Sequence, residues 1–172
     1  TKSLRWNLAY AEGFEAYTTA AARFSFEHGL IDRLEGTVRD LFRWHLVEEL
    51  EHRTVAFDAY DRLFGGYWYR LFVGLYAQWH LNRFVFRAAK SMADADPAAF
   101  QARFGGKLAA WRRVKPMLWL MLWHLLPKIW ATYLPWYTPH RLALPKGARE
   151  IAEQYRVLAE AKRTGAAPAG AS

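Results

Sequence analysis

His45, Glu49 and His52 have the residue types and the spacing of metal ligands. Steps of four and three residues keep them on one helix face, in the series Val38, Phe42, His45, Glu49, His52, Ala56, Ala59 and Leu63. Packing alone asks for leucine or valine at the middle positions, and an unpaired buried carboxylate is costly. Something is therefore expected to compensate Glu49. In Glu49-Leu50-Glu51-His52 the carboxylate and the imidazole are separated i, i+3, the spacing that puts both donors on one ion. Glu48 beside them is then a candidate general base, a carboxylate that takes the proton of a metal-activated water.

A second carboxylate interrupts an upstream stripe of apolar and small residues, Leu4, Leu8, Ala11, Glu15, Thr18, Ala22 and Ser25. Small residues allow two backbones to approach, so Glu15 is expected to face Glu49 and His52 across a helix pair. A Glu opposite a Glu-x-x-His is half of the donor set of the di-metal carboxylate bundles, in which two such pairs complete the site. A plainer alternative stays open. Glu49 stands four residues before Arg53, the favourable order for a helix ion pair, and Glu48, Glu49 and Glu51 then form an ordinary solvated face. His45 is equally suited to a hydrogen bond. His28, His80, His124 and His140 have no acidic residue at ligand spacing and are expected to be structural or interfacial.

The elements that position these residues read as helices throughout, because apolar residues recur at three and four and no hairpin signal appears. The expected helices span residues 3–28, 37–64 and 67–92, then a short basic helix from the Asp96-Pro97 start to about Arg113. The first two are joined by a short link that makes them antiparallel neighbours. The ten-residue, largely apolar run from Met117 to Leu126 is interrupted by Pro127 and Lys128. It is too short to cross a bilayer and suits an interfacial element or a helix buried against a partner. Three prolines make residues 134–146 extended, and an amphipathic helix is expected over 147–162. The expected organisation is a hairpin carrying the half-site (1–65), an aromatic and basic segment facing a membrane or partner (66–137), a loop with the C-terminal helix (138–163) and a disordered tail (164–172).

Composition narrows the function classes. An apolar fraction of 53% in 172 residues can bury a core and excludes disorder, while the absence of cysteine excludes disulfides, zinc knuckles and thiol nucleophiles. The charge is +8, and between Arg83 and Lys115 eight basic residues face Asp94 and Asp96. Such a block meets phosphates. Five of the nine tryptophans fall between Trp111 and Trp136, and tryptophan collects where hydrocarbon meets water, so a membrane surface is favoured over nucleic acid. The expected location is peripheral, on the cytoplasmic side of the inner membrane.

The block Trp44-His45-Leu46-Val47-Glu48-Glu49-Leu50-Glu51-His52, leading to Val55-Ala56-Phe57-Asp58 and to Gly66-Tyr67-Trp68, resembles the signature of the predicted metal-dependent hydrolase family of bacteria. Gly13-Phe14-Glu15-Ala16-Tyr17-Thr18 resembles that family's preceding Glu-bearing helix, and Tyr133-Leu134-Pro135-Trp136-Tyr137 its Pro-containing C-terminal segment. The resemblance implies an all-α, ferritin-like bundle with Glu15, Glu49 and His52 as ligands. Glu48 and His45 then orient those ligands or replace one. The match covers the C-terminal portion of the family pattern, without its additional Glu and His helices. A full-length protein or a second copy is then needed to complete the ligand set. The resemblance points to a divalent metal, with di-iron chemistry as a variant and an empty site as the outcome if completion fails. Two functions follow: a membrane-associated metal-dependent hydrolase, or a non-catalytic accessory subunit docked to a membrane complex through residues 67–137.

Overall fold

A computed structural model describes residues 1–164, and every element among them is helical. Helix α1 (Leu4–Glu27) starts where Ser3 Oγ accepts the Trp6 N–H at 3.2 Å and stops before Gly29, whose φ of +58° suits only glycine well. Its buried residues, among them Ala9, Glu12, Gly13, Ala16, Thr19 and Ala22, lie on several faces, because α1 is covered on more than one side.

The helix expected over residues 37–64 is two helices, α2 (Gly36–His52) and α3 (Val55–Leu63). The break has a tertiary cause. Arg53 Nη1 donates to the Leu50 carbonyl at 2.7 Å, the oxygen that a continuous helix would offer to the Thr54 N–H. The Ala56 N–H, which would return to His52, donates instead to Glu15 Oε2 at 3.1 Å. Glu15 on α1 thereby satisfies a first-turn donor of α3. The pairings Glu15 to Ala56 and Thr18 to Glu49 descend α2 and α3 as they climb α1, so this pair is antiparallel.

Gly65 and Gly66, both at positive φ, turn the chain into α4 (Tyr67–Ala95), which ascends parallel to α1. Glu12 meets Arg70, Gly13 meets Gly74 and Tyr17 meets Asn82. At the crossing a Cβ added to Gly13 would lie 2.3 Å from Gly74 Cα, so the two backbones touch. The basic helix expected to run to Arg113 is split by Gly105 and Gly106 into α5 (Pro97–Phe104) and α6 (Lys107–Leu120), again at positive φ.

Pro127 does not interrupt the helical path. A π-helical turn over Met121–Leu125 precedes α7 (Leu126–Ala131), and its wider ring relieves the clash that proline makes with the carbonyl four residues back. The last helix, α8 (Ala148–Thr164), lies antiparallel on α2, with Ala148 packed into a cluster with Leu50 and Ala22 and Tyr155 donating to the Asp40 carbonyl at 2.8 Å. Beyond Thr164 the expected disordered tail lies outside the described residues.

The expected core stripe of α2 is a correction. Val38 and Phe42 are 53% and 45% exposed, His45 and His52 are exposed too, and the buried residues of the helix are Val47 and Leu50. Both faces of α2 carry apolar residues, and α1 with α8 takes the Val47–Leu50 side.

The glycine crossing separates two substitutions. Gly13→Ala should destabilise the protein by at least about 1–3 kcal/mol through overpacking, despite roughly 1 kcal/mol of gained helix propensity. A Cβ on Gly74 meets Gly13 Cα at an ordinary 3.5 Å, so Gly74→Ala should be neutral or slightly stabilising. Urea unfolding of both variants checks this, and equal losses would contradict it.

Candidate functional site

Glu15 and Thr18 project from α1 toward the break between α2 and α3. Thr18 Oγ1 donates to Glu49 Oε2 at 2.5 Å, and Glu49 Oε1 lies 3.7 Å from His45 Nε2. His45 Nδ1 is 4.0 Å from Glu48 Oε2. Burial pushes the Glu15 carboxyl above its ordinary value, the Ala56 N–H pulls it down, the nearby charge of Glu49 raises it and His52 lowers it. The Glu15 carboxyl therefore feels both Glu49 and His52 electrostatically. Arg53 has left the helix and bonds Leu50, so the alternative Glu49–Arg53 ion pair is not formed.

A second polar constellation, which the sequence reading missed, lies on the α4 side of the same helix. Arg70 Nη1 meets Glu12 Oε1 at 2.8 Å, with side chains 10% and 5% exposed. The guanidinium sits 5.2 Å from the Phe57 ring and 5.9 Å from those of Tyr67 and Tyr137. Burial raises the Glu12 carboxyl, and Arg70 opposes the rise by charge and hydrogen bond. Next to the pair, Gln78 Nε2 donates to the Gly13 carbonyl at 3.2 Å while its Oε1 accepts from the Tyr133 hydroxyl, and Tyr67 donates to the Tyr133 carbonyl at 2.5 Å. Burial, then Tyr17 and Glu12, push the Tyr133 hydroxyl up to about 12, so it stays a donor. Arg70 and Gln78 stood out as polar residues in an aromatic segment, and that was the available signal. Their partners on α1 lie 58 and 65 residues away.

The remaining histidines have partners that spacing could not show. His80 shares a 2.7 Å hydrogen bond with Tyr10, His140 Nε2 lies 2.7 Å from Asp58 Oδ1, and the rings of His28 and His124 stack edge-on at 4.6 Å.

Residues 1–142 match the family model described as a predicted metal-dependent hydrolase. The chain belongs to that family. No curated protein and no solved structure matches it. The match takes in both polar constellations and ends before α8.

Membership in the metal-dependent hydrolases implies a divalent metal, and the donor types are suitable: the carboxylates of Glu15 and Glu49 and the imidazoles of His45 and His52. The arrangement is not complete. Among the described residues no group of three or more His, Asp or Glu side chains is gathered to hold an ion. Glu15 is engaged by Ala56 and Glu49 by Thr18, while His45 and His52 face outward from α2. The described residues by themselves thus supply separated donors.

The raised carboxyl of Glu15 has a signed consequence. Its stability contribution is present at low pH and is lost as pH rises through the raised value, because ionisation is harder in the folded state. Glu15→Gln keeps an oxygen for the Ala56 N–H and carries no charge. In chelator-treated protein its stability relative to the parent should therefore rise between about pH 4 and about pH 7, measured by denaturant unfolding. A relative loss over that range would show that the folded state favours the ionised carboxylate.

Proposed function

We propose that this member of the family is a hydrolase working at the Glu15–Glu49 cluster, with His52 and His45 as further ligands of a divalent metal and Glu48 as the base. The observation that carries the reading is that Glu49, held by Thr18 of α1, and His52 both act electrostatically on the Glu15 carboxyl of α1, beside an open α2 face bearing both histidines. A ferritin-like site needs a second hairpin, and the exposed Val38, Leu41 and Phe42 on that face suit a second copy of this chain or a further segment seated there. Glu48 is partly exposed and 4.0 Å from the His45 imidazole, so water reaches it. Its task is to accept a proton from the attacking water. A di-iron variant would use the same donors.

Glu49→Ala or His52→Ala should abolish stoichiometric metal in elemental analysis of the assembled protein, and Glu48→Ala should keep the metal while lowering hydrolysis of a panel of nitrophenyl esters and phosphates. If Glu49→Ala changes only stability, by the roughly 1.5–3 kcal/mol of the lost Thr18 hydrogen bond to a charged group, the metal reading fails.

The same proposal places the protein peripherally at the cytoplasmic face of the inner membrane. No helix among the described residues is long and apolar enough to cross a membrane. Supporting a surface location, Trp119 and Trp123 stack at 6.4 Å and are both exposed, as are Trp111 and Trp130, and Arg112, Arg113 and Lys115 accompany them. Between α4 and the α6–α7 path an apolar groove of about 480 Å³ joins this surface to Leu75 and Trp79. The same surface would also suit the second reading, an accessory subunit of a membrane complex. Flotation with anionic vesicles at low salt should carry the protein upward, and more weakly with neutral vesicles. Protein left wholly at the bottom in both, with no partner in native membranes, would refute the location.

A further inference from the structure

A cavity of about 360 Å³ lies between the second half of α1 and the π turn and α7, apart from the Glu15–Glu49 cluster. One wall carries Arg23, reached from Ala16 and Ala20 along α1, and the other carries His124, Lys128 and Thr132 at four-residue intervals on one helix face. Tyr137 closes the inside, and Trp123, 67% exposed, stands at the solvent edge.

The charges here do not balance. Among the described residues Glu27 is the one carboxylate that pairs with both permanent cations, at 2.7 Å from Lys128 and 3.7 Å from Arg23. Glu12 is already committed to Arg70. Arg23 Nε is buried with no hydrogen-bond partner, and so is the Nε of Arg53, a guanidinium that acts electrostatically on Tyr137 together with Arg70 and Arg23. A buried charged donor without a partner is costly, and native structures rarely leave one unexplained. The rest of the wall is apolar, from Ala16, Ala20, Ala131 and Leu142 to the Trp123 ring.

We propose that this cavity binds the anionic head, a carboxylate or a phosphate monoester, of an amphipathic molecule. The head sits among Arg23, Lys128 and His124, and the apolar chain leaves past Trp123. A carboxylate or phosphate accepts from the guanidinium fork and the ammonium together, which one Glu27 cannot do at its 3.7 Å separation from Arg23. The Tyr137 hydroxyl, which burial keeps protonated, is a further donor. The inference does not rest on the metal reading, since none of these residues belongs to that cluster.

The test is calorimetric titration of the whole chain with decyl phosphate and decanoate below their micellar concentrations, beside inorganic phosphate and the neutral-headed decyl maltoside. The two anionic amphiphiles should bind, inorganic phosphate at least about tenfold more weakly and decyl maltoside not measurably. Arg23→Gln and, independently, Lys128→Gln should each weaken decyl phosphate about tenfold or more, the effect of losing one charge-assisted hydrogen bond. Glu27→Gln removes the competing carboxylate and should tighten binding several-fold, whereas damage to a merely structural residue would weaken it. Vesicles of phosphatidic acid against phosphatidylcholine, assayed with the same variants, tell a bilayer lipid from a free amphiphile as the source. Equal binding of anionic and neutral decyl compounds, inorganic phosphate binding as tightly as decyl phosphate, or unchanged affinity in both charge variants would overturn the proposal.

Discussion

Where α1 crosses α4 a side chain on Gly13 would collide with the Gly74 backbone, and the other placements descend from that contact. A helix pair held this close brings polar groups on the flanking turns within bonding distance. Glu12 reaches Arg70 one turn away, and the Gly13 carbonyl, exposed by its missing side chain, accepts from Gln78. The ion pair is then sealed by Phe57, Tyr67 and Tyr137, which exclude water and make separation of the charges expensive. Close backbone approach is the condition, and the buried polar network is its result.

The same α1 also serves the opposite neighbours. Glu15, three residues after Glu12, ends the helical continuity of α2 and α3 by taking the Ala56 N–H, and Thr18, three further on, holds Glu49. The Glu15 charge adds to the burial that raises the Glu12 carboxyl, while the two side chains face different partners. Arg23, near the end of the helix, looks into the cavity beside α7. One central helix thus links a carboxylate cluster, a buried ion pair and a cationic cavity, and a shift of α1 would disturb all three.

Two surfaces are left apolar. On α2 the exposed side carries Val38, Leu41 and Phe42 with His45 and His52 among them, and on α4 with α6 and α7 it carries stacked tryptophans beside arginines. The first adjoins donors that are not gathered into a site among the described residues. The second adjoins a groove and a basic segment. The two surfaces therefore differ in chemistry, one aliphatic with carboxylates and imidazoles beside it, the other aromatic and basic.

Features set by a few neighbouring residues were legible from the sequence. The helix start at Asp96-Pro97 and the helical period depend on local sterics and local hydrogen bonds, and the family signature from Trp44 to Trp68 is contiguous, so any stretch of chain carries them with it. What only the tertiary structure decided depends on groups distant in the chain. The break after His52 arises where the Ala56 N–H meets a carboxylate 41 residues earlier, the Glu12 partner stands 58 residues later, and the burial of Val47 and Leu50 rather than Val38 and Phe42 follows from where α1 and α8 lie. A helix with apolar residues on both sides does not state which side will be covered. Burial is a property of the neighbours, and the sequence of one helix does not contain them.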